Sequence, residues 1–194
     1  PLRLVGSEMC IRDRLNVKKL EKTIRTAMRM LDNVIDYNYY SVEKAKTSNA
    51  KHRPVGLGLM GFQDALYKLR IPYASEEAVD FADKSMEQIS YFALRSSMEL
   101  SKERGPYQTF DGSQWSQGIL PIDSLRNFKE VRGKYLDVNM DQTLDWDTLR
   151  EEIKVNGMRN SNSLAIAPTA TISNICGVAP VSYTHLTLPT NREV

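Results

Sequence analysis

The chain has 194 residues, of which 41% are hydrophobic and 26% charged, which is enough apolar sequence for one globular domain or for a piece of a larger one. Its 26 Lys and Arg residues nearly balance 24 Asp and Glu residues, so we expect neither nucleic acid nor a membrane as the main partner. The sequence lacks a bilayer-length apolar run, a secretory signal over 1–14 and metal-binding cysteine spacing, so we expect a cytoplasmic protein without a metal site.

Apolar residues at three- and four-residue spacing predict several amphipathic helices. The longest begins after Ser75, a typical N-cap residue, and ends at Gly105 and Pro106. Trp115 and Trp146 flank an irregular region and are expected to anchor its packing. The predicted elements in chain order are a helix over 15–37, a polar connection over 41–52, a short strand over 53–60, a helix over 61–69, a long helix over 76–104, an irregular region over 107–144 with short helical turns near 122–128, a helix over 145–155 and a buried strand over 163–167.

The stretch "RPVGLGLMGFQDAL" contains Gly56, Gly58 and Gly61 in the G-x-G-x-x-G spacing of dinucleotide-binding turns. That motif requires a buried strand before the glycines and a second strand that ends in an acidic residue. Here a polar run containing Pro54 precedes the glycines, and another long helix follows them. We therefore interpret these glycines as residues that permit close backbone packing, and we reject a dinucleotide site.

A second candidate site follows the last predicted strand, in "MRNSNSLAIAPTATISNICG". After Pro168 the chain offers small residues, the hydroxyl groups of Thr169, Thr171 and Ser173, and a row of backbone amides at a predicted helix start. This arrangement is typical of phosphate and diphosphate binding. Ordinary helix capping is the competing interpretation of the same residues.

Four ordered stretches carry a family resemblance: "RPVGLGLMGFQDALYKL", "RIPYASEEAVDFADKSME", "GILPIDS" and "MRNSNSLAIAPTATISNICGV". Together they closely resemble the large catalytic (alpha) subunits of class I ribonucleotide reductases, over about residues 15–181. The resemblance implies an α/β fold, namely a helix-rich fragment of that family's ten-stranded α/β barrel. It also implies a substrate diphosphate-binding loop that uses backbone amides and hydroxyl groups, with Ile172 contributing only its N–H; the loop comprises Pro168, Thr169, Ala170, Thr171, Ile172 and Ser173.

The resemblance implies an activity for the intact enzyme. It would be an oxidoreductase that reduces ribonucleoside diphosphates to deoxyribonucleoside diphosphates for DNA synthesis, using cysteine-radical chemistry. In that family the catalytic cysteines would precede Leu15 and the radical-path tyrosines would follow Val181, so this chain should carry no catalytic residue and be inactive alone. The implied partners are a ribonucleoside diphosphate, a small (beta) subunit with a metal-tyrosyl radical, a second alpha subunit, a dithiol reductant such as thioredoxin or glutaredoxin, and nucleotide effectors.

The two ends differ from the rest of the chain. Residues 1–14 and 182–194 continue no neighbouring pattern and resemble translated sequencing-adapter peptides. We therefore expect both to be non-native segments that flank a partial barrel domain over 15–181. Cys10 falls in the first of these segments and is not interpreted as a reducing cysteine, while Cys176 is expected to be a small buried apolar residue.

Two alternatives stay open. A cobalamin-dependent (class II) ribonucleotide reductase shares the barrel and a similar loop, and would lack the tyrosine pair and subunit-docking tail of class I. A non-catalytic phosphate-binding or interaction module is the alternative from a different class of protein. That alternative predicts measurable nucleotide affinity for the chain by itself.

Overall fold

A computed structural model of the chain describes residues 10–11, 14–132 and 139–179. Within these residues the molecule is largely helical, as predicted. Its two strands in these ranges are short and pair in antiparallel orientation. The elements are β1 (Cys10–Ile11), β2 (Arg14–Leu15), α1 (Val17–Tyr37), α2 (Glu43–His52), α3 (Phe62–Leu69), α4 (Glu76–Arg104), α5 (Pro121–Arg132), α6 (Trp146–Asn156) and α7 (Ala170–Cys176).

The predicted long helices α1 and α4 are confirmed, and they pack against each other. Their facing apolar side chains form the first core cluster, which Leu57 and Leu59 complete. The caps follow the sequence signals, since the Ser75 hydroxyl accepts from the Ala78 amide at 3.2 Å and the helix ends at Gly105 with a positive φ. The residues that α1 and α4 contribute to this cluster are Leu20, Ile24, Ala27, Met28, Ile89, Phe92, Ala93 and Leu100.

The second half of α4 packs against α6, which the Asp145 side chain caps by accepting from the Thr148 amide at 3.1 Å. Trp146 is buried in this second cluster and meets the Tyr91 ring edge-to-face at a centroid distance of 5.3 Å. Trp115 donates from its indole to the Ser161 carbonyl at 2.9 Å. Both tryptophans therefore anchor the packing, as predicted.

The carboxylate of Glu87 fastens the irregular region to α4. It accepts hydrogen bonds from the Thr143 hydroxyl, from the amides of Thr143 and Leu144 at 2.7 and 3.2 Å, and from the Trp146 indole at 3.0 Å. Burial alone would raise the pKa of Glu87, but these hydrogen bonds outweigh it and the pKa lies below its ordinary value. Glu87 thus contributes stability as long as it is ionised.

We expect Glu87→Gln to destabilise the protein by about 1–3 kcal/mol near neutral pH. The reason is that the glutamine NH₂ group would replace one acceptor oxygen and face the N–H and O–H donors of Thr143, Leu144 and Trp146. A lowered folded-state pKa means that this contribution is present above the unfolded-state pKa and is lost as pH falls through the folded-state pKa. The stability gap between wild type and variant should therefore narrow below about pH 4. Urea unfolding of the 194-residue chain from pH 3 to 7 measures this gap, and a gap independent of pH would contradict the assignment.

Helix α2 corrects the prediction of a polar connection over 41–52. Its ten residues include none that is buried, so the apolar periodicity that reveals other helices is missing. Glu43 in the first turn and Lys51 and His52 in the last turn complement the helix dipole. The Arg53 amide closes the helix by donating to the Asn49 carbonyl at 2.8 Å.

Two further predictions need correction. The turns expected near 122–128 are one helix, α5, which spans Pro121–Arg132. The strands expected over 53–60 and 163–167 reduce to an isolated parallel bridge between Leu57 and Leu164. Ser163 is buried, but residues 165–167 are exposed, so the second segment is not the buried strand that its apolar run suggested. None of the helices in the described ranges combines the length and the hydrophobicity that a membrane span requires.

Candidate functional site

Two extended segments, around residues 55–57 and 162–165, lie side by side, and the second leads into the candidate loop. The amides of Val55 and Leu57 donate to the carbonyls of Asn162 and Ser163 at 3.0 and 2.9 Å, and the Ala165 amide donates back to the Leu57 carbonyl at 3.1 Å. We call this set of hydrogen bonds the parallel ladder. It directs the chain after residue 165 toward the loop that the sequence singles out.

The glycines of "RPVGLGLMG" allow this close approach. A Cβ atom on Gly56 would lie 2.9 Å from the Ala165 Cβ, and one on Gly58 would lie 2.8 Å from the Ala165 carbonyl oxygen. Gly61 has a φ of 76°, a left-handed conformation that suits glycine at the start of α3. The interpretation as packing residues is confirmed for Gly56 and Gly58, while Gly61 serves the backbone conformation at the start of α3.

A buried ionic network holds the beginning of both extended segments. Arg53, at the start of the first, donates to the Asp32 carboxylate at 2.8 Å and to both Asp36 oxygens at 2.7 and 2.8 Å. Arg159, before the second, lies 3.3 Å from Asp32, and the Asn160 amide group donates both to Asp32 at 3.3 Å and to the Arg53 carbonyl at 3.0 Å. The network therefore fixes the two segments relative to α1.

The electrostatics of this network centre on Asp32, whose side chain is fully buried. Burial alone would raise its pKa, but the hydrogen bond from Arg53 and the charges of Arg159 and Arg53 lower it below the ordinary value. The hydrogen bond to Asp36, opposed by burial, raises the pKa of Arg53. Arg104 also reaches Asp32 at 3.0 Å. Asp32 and Arg53 are therefore both held in their charged forms.

The candidate loop itself leads into α7. Thr169 is the N-cap residue and has a φ of 55°, a left-handed conformation uncommon for a residue with a branched side chain. The first backbone hydrogen bond of α7 runs from the Ser173 amide to the Thr169 carbonyl at 2.9 Å. The amides of Ala170, Thr171 and Ile172 come before that bond, so they have no acceptor within α7. Amides in the first turn of a helix commonly bind anions.

The six predicted site residues differ in exposure. Pro168, Ala170, Thr171 and Ile172 are exposed, Thr169 is partly buried and Ser173 is buried. The Ser173 hydroxyl donates to the Ala170 carbonyl at 3.2 Å, so it would have to turn away from the helix to contact a ligand. The arrangement thus presents backbone amides and one threonine hydroxyl on an exposed face.

The chain leaves α7 through a second contact with the glycine segment. Gly177 ends the helix with a φ of 65°, and two residues later Ala179 accepts from the Gly61 amide at 2.9 Å. The Ala179 amide donates to the Asp64 carboxylate at 2.7 Å. Sequence reasoning missed Asp32, Arg53 and Asp64, since charged residues in helices and turns carry no sign of a distant partner.

Cys176 and Tyr40 lie outside the candidate loop. Cys176 is a free, partly exposed thiol, which corrects the expectation that it is buried, and the Cys10 side chain lies outside the described part of the chain. Tyr40 donates to the Ile35 carbonyl at 2.8 Å and so fastens the end of α1. No cluster of His, Cys, Asp or Glu suited to a metal ion occurs among the described residues.

The described part of the chain is thus a largely helical unit in which two extended segments meet at one parallel bridge and lead to a loop with a candidate anion site. The chain belongs to the ribonucleotide reductase barrel domain family, whose model matches residues 4–187. This match confirms the family resemblance read from the sequence. The boundaries predicted at residues 14 and 182 stay predictions.

Individual relatives agree with this family. The chain is 52% identical to the ribonucleoside-diphosphate reductase subunit alpha of Chlamydia muridarum over 184 residues, which cover 92% of this chain and 18% of that protein. It is 42% identical to the subunit alpha of Helicobacter pylori, over 81% of this chain and 20% of that protein. The large subunit of Arabidopsis thaliana is 40% identical over 91% of the chain, which is 20% of that protein. The chain thus spans about a fifth of the length of these relatives.

Proposed function

We propose that this chain is the part of a ribonucleoside-diphosphate reductase alpha chain that binds the substrate diphosphate. The observation that carries the proposal is the 52% identity to a ribonucleoside-diphosphate reductase subunit alpha across nearly the whole chain. The intact enzyme would be an oxidoreductase that converts ribonucleoside diphosphates to deoxyribonucleoside diphosphates. In the proposed complex the loop 168–173 meets the diphosphate.

The residues of this chain would act by binding and orienting the substrate. The amides of Ala170, Thr171 and Ile172 and the Thr171 hydroxyl would donate to the diphosphate oxygens, supported by the positive end of α7. The left-handed Thr169 supports this proposal, because strained backbone is concentrated at ligand-binding sites. Holding the diphosphate fixes the distance between the ribose and the groups that carry out the reaction.

The remaining partners are part of the same proposal. The parallel ladder is the pairing expected of neighbouring strands in the family's ten-stranded α/β barrel. A small beta subunit would supply the radical from its metal-tyrosyl centre, which initiates chemistry that the side chains described here do not perform. A second alpha subunit, a dithiol reductant, nucleotide effectors and a cytoplasmic location complete the proposed setting. The names of the relatives, subunit alpha or large subunit, favour class I over the cobalamin-dependent class.

The test uses a hybrid subunit, in which residues 15–181 of this chain replace the matching segment of the Chlamydia muridarum subunit alpha. Assayed with the small subunit of that organism and CDP, the hybrid should form dCDP, and Thr171→Val should raise KM about fivefold to tenfold through loss of one hydroxyl contact. The matched control is Thr26→Val, which removes an exposed hydroxyl in α1 and should leave KM unchanged. A folded but inactive hybrid, or equal KM values for both variants, would contradict the proposal.

A further inference from the structure

The stretch that contains the candidate loop and α7 is hydrogen-bonded at both of its ends to one short segment, residues 57–64. On the entry side, Ala165 joins Leu57 through the parallel ladder. On the exit side, Ala179 exchanges hydrogen bonds with Gly61 and Asp64. Leu57 and Gly61 lie four positions apart, so the two fastening points are no more than about 14 Å from each other.

On the exit side, backbone hydrogen bonds continue up to Ala179. The Gly177 amide donates to the Asn174 carbonyl at 3.2 Å and the Val178 amide to the Ser173 carbonyl at 3.1 Å, which closes the last turn of α7. Ala179 follows directly. Any contact that holds the Ala179 backbone in place therefore also fixes the orientation of the α7 axis and of the amides in its first turn.

We propose that Asp64 is a positioning residue for the substrate, because its carboxylate holds the Ala179 amide and thereby sets the orientation of the phosphate-binding end of α7. The inference rests on the function proposed above. Asp64 acts through Ala179 and α7, not by contact with the substrate. It is the side-chain member of this clamp, since the other hydrogen bond joins the backbone of Gly61 and Ala179.

The location of Asp64 suits this role. It lies in the first turn of α3, where the helix dipole stabilises a negative charge. A charged acceptor makes a stronger hydrogen bond to an amide than a neutral one, and the 2.7 Å distance is short for an amide donor. The C-terminal end of α7 carries negative charge and repels a nearby carboxylate, and the positive N-terminal end of α3 offsets this repulsion for Asp64.

The experiment compares three variants of the hybrid subunit in CDP reduction. Asp64→Ala should raise KM for CDP about five- to tenfold with kcat within about twofold, because diphosphate binding weakens equally in the ground and transition states. Asp64→Asn keeps an acceptor oxygen at the same place and should stay within about threefold of wild-type KM. Asp147→Ala is the matched control, since it removes an exposed first-turn carboxylate from α6 without touching the loop.

The outcomes separate the two proposals. If Thr171→Val raises KM and Asp64→Ala does not, the diphosphate site stands and the role of Asp64 is overturned. If Thr171→Val has no effect, the site itself fails. A lower melting temperature for Asp64→Ala with unchanged KM would show a structural role only and would also overturn the inference. Failure of Asp64→Asn to restore KM would overturn the part assigned to the acceptor oxygen.

Discussion

Replacing Asp32 with asparagine should lower the free energy of unfolding by about 3–5 kcal/mol, the usual cost of removing one partner from a buried ion pair. Asp32 is fully buried and accepts from Arg53, Arg104 and Arg159 at 2.8, 3.0 and 3.3 Å. Asparagine retains the shape but not the charge, so three guanidinium groups would lose their shared acceptor, with Asp36 left to pair with Arg53 and Glu103 with Arg104.

Urea unfolding of the 194-residue chain, followed by circular dichroism, measures this loss. The control is Asp80→Asn, since Asp80 pairs with Lys84 at 3.9 Å on the exposed surface of α4 and should cost less than about 0.5 kcal/mol. Because the folded-state pKa of Asp32 is lowered, its contribution is present above the unfolded-state pKa and disappears as pH falls through the folded-state pKa. Equal losses for the two variants at pH 7 would refute the central place given to Asp32.

The second large effect is expected at Gly58. Gly58→Ala would place a Cβ atom 2.8 Å from the Ala165 carbonyl oxygen, a backbone atom of the residue whose amide donates to Leu57 in the parallel ladder. We expect a loss of about 1–3 kcal/mol in the urea unfolding of the chain. In the hybrid subunit the displaced ladder should also raise KM for CDP, because the loop begins three residues beyond Ala165.

A pair of double variants separates steric crowding from other causes. Gly56→Ala crowds the Ala165 Cβ, so adding Ala165→Gly makes room and should recover most of the lost stability. Gly58→Ala crowds the Ala165 carbonyl oxygen, which Ala165→Gly leaves in place, so the same second change should recover nothing. Equal recovery at both positions would contradict the geometry of the ladder.

Much of the helical framework could be predicted from the sequence, because each signal is local. The Ser75 and Asp145 caps and the glycines at 105 and 157 bound α4 and α6 within a residue or two of the predicted ends. Helix α2 escaped prediction because it buries no side chain and so lacks apolar periodicity. The apolar run over 163–167 predicted burial, but burial there depends on neighbours that the run itself does not specify.

For the candidate site, too, the short-range pattern could be predicted from the sequence, but the exposure of its residues and their long-range contacts could not. The residues of the loop could be singled out because hydroxyl-rich turns before a helix are a short-range pattern. The exposure of each residue could not, since Ser173 is buried and Thr171 is not although they lie two positions apart. The Asp32 network and the Asp64 clamp join residues more than 100 positions apart, and a single sequence carries no record of such pairs.

The parallel ladder also has a consequence for biosynthesis. The Val55 amide donates to the Asn162 carbonyl across 107 positions of sequence, so the first extended segment must wait for the second to leave the ribosome. At about 5–20 residues per second, that delay is roughly 5–20 seconds. Over this interval the amides of Val55 and Leu57 have no partner strand and Asp32 can already pair with Arg53 and Arg104. The nascent chain therefore offers an open strand edge that chaperones or another nascent chain can bind before the loop exists.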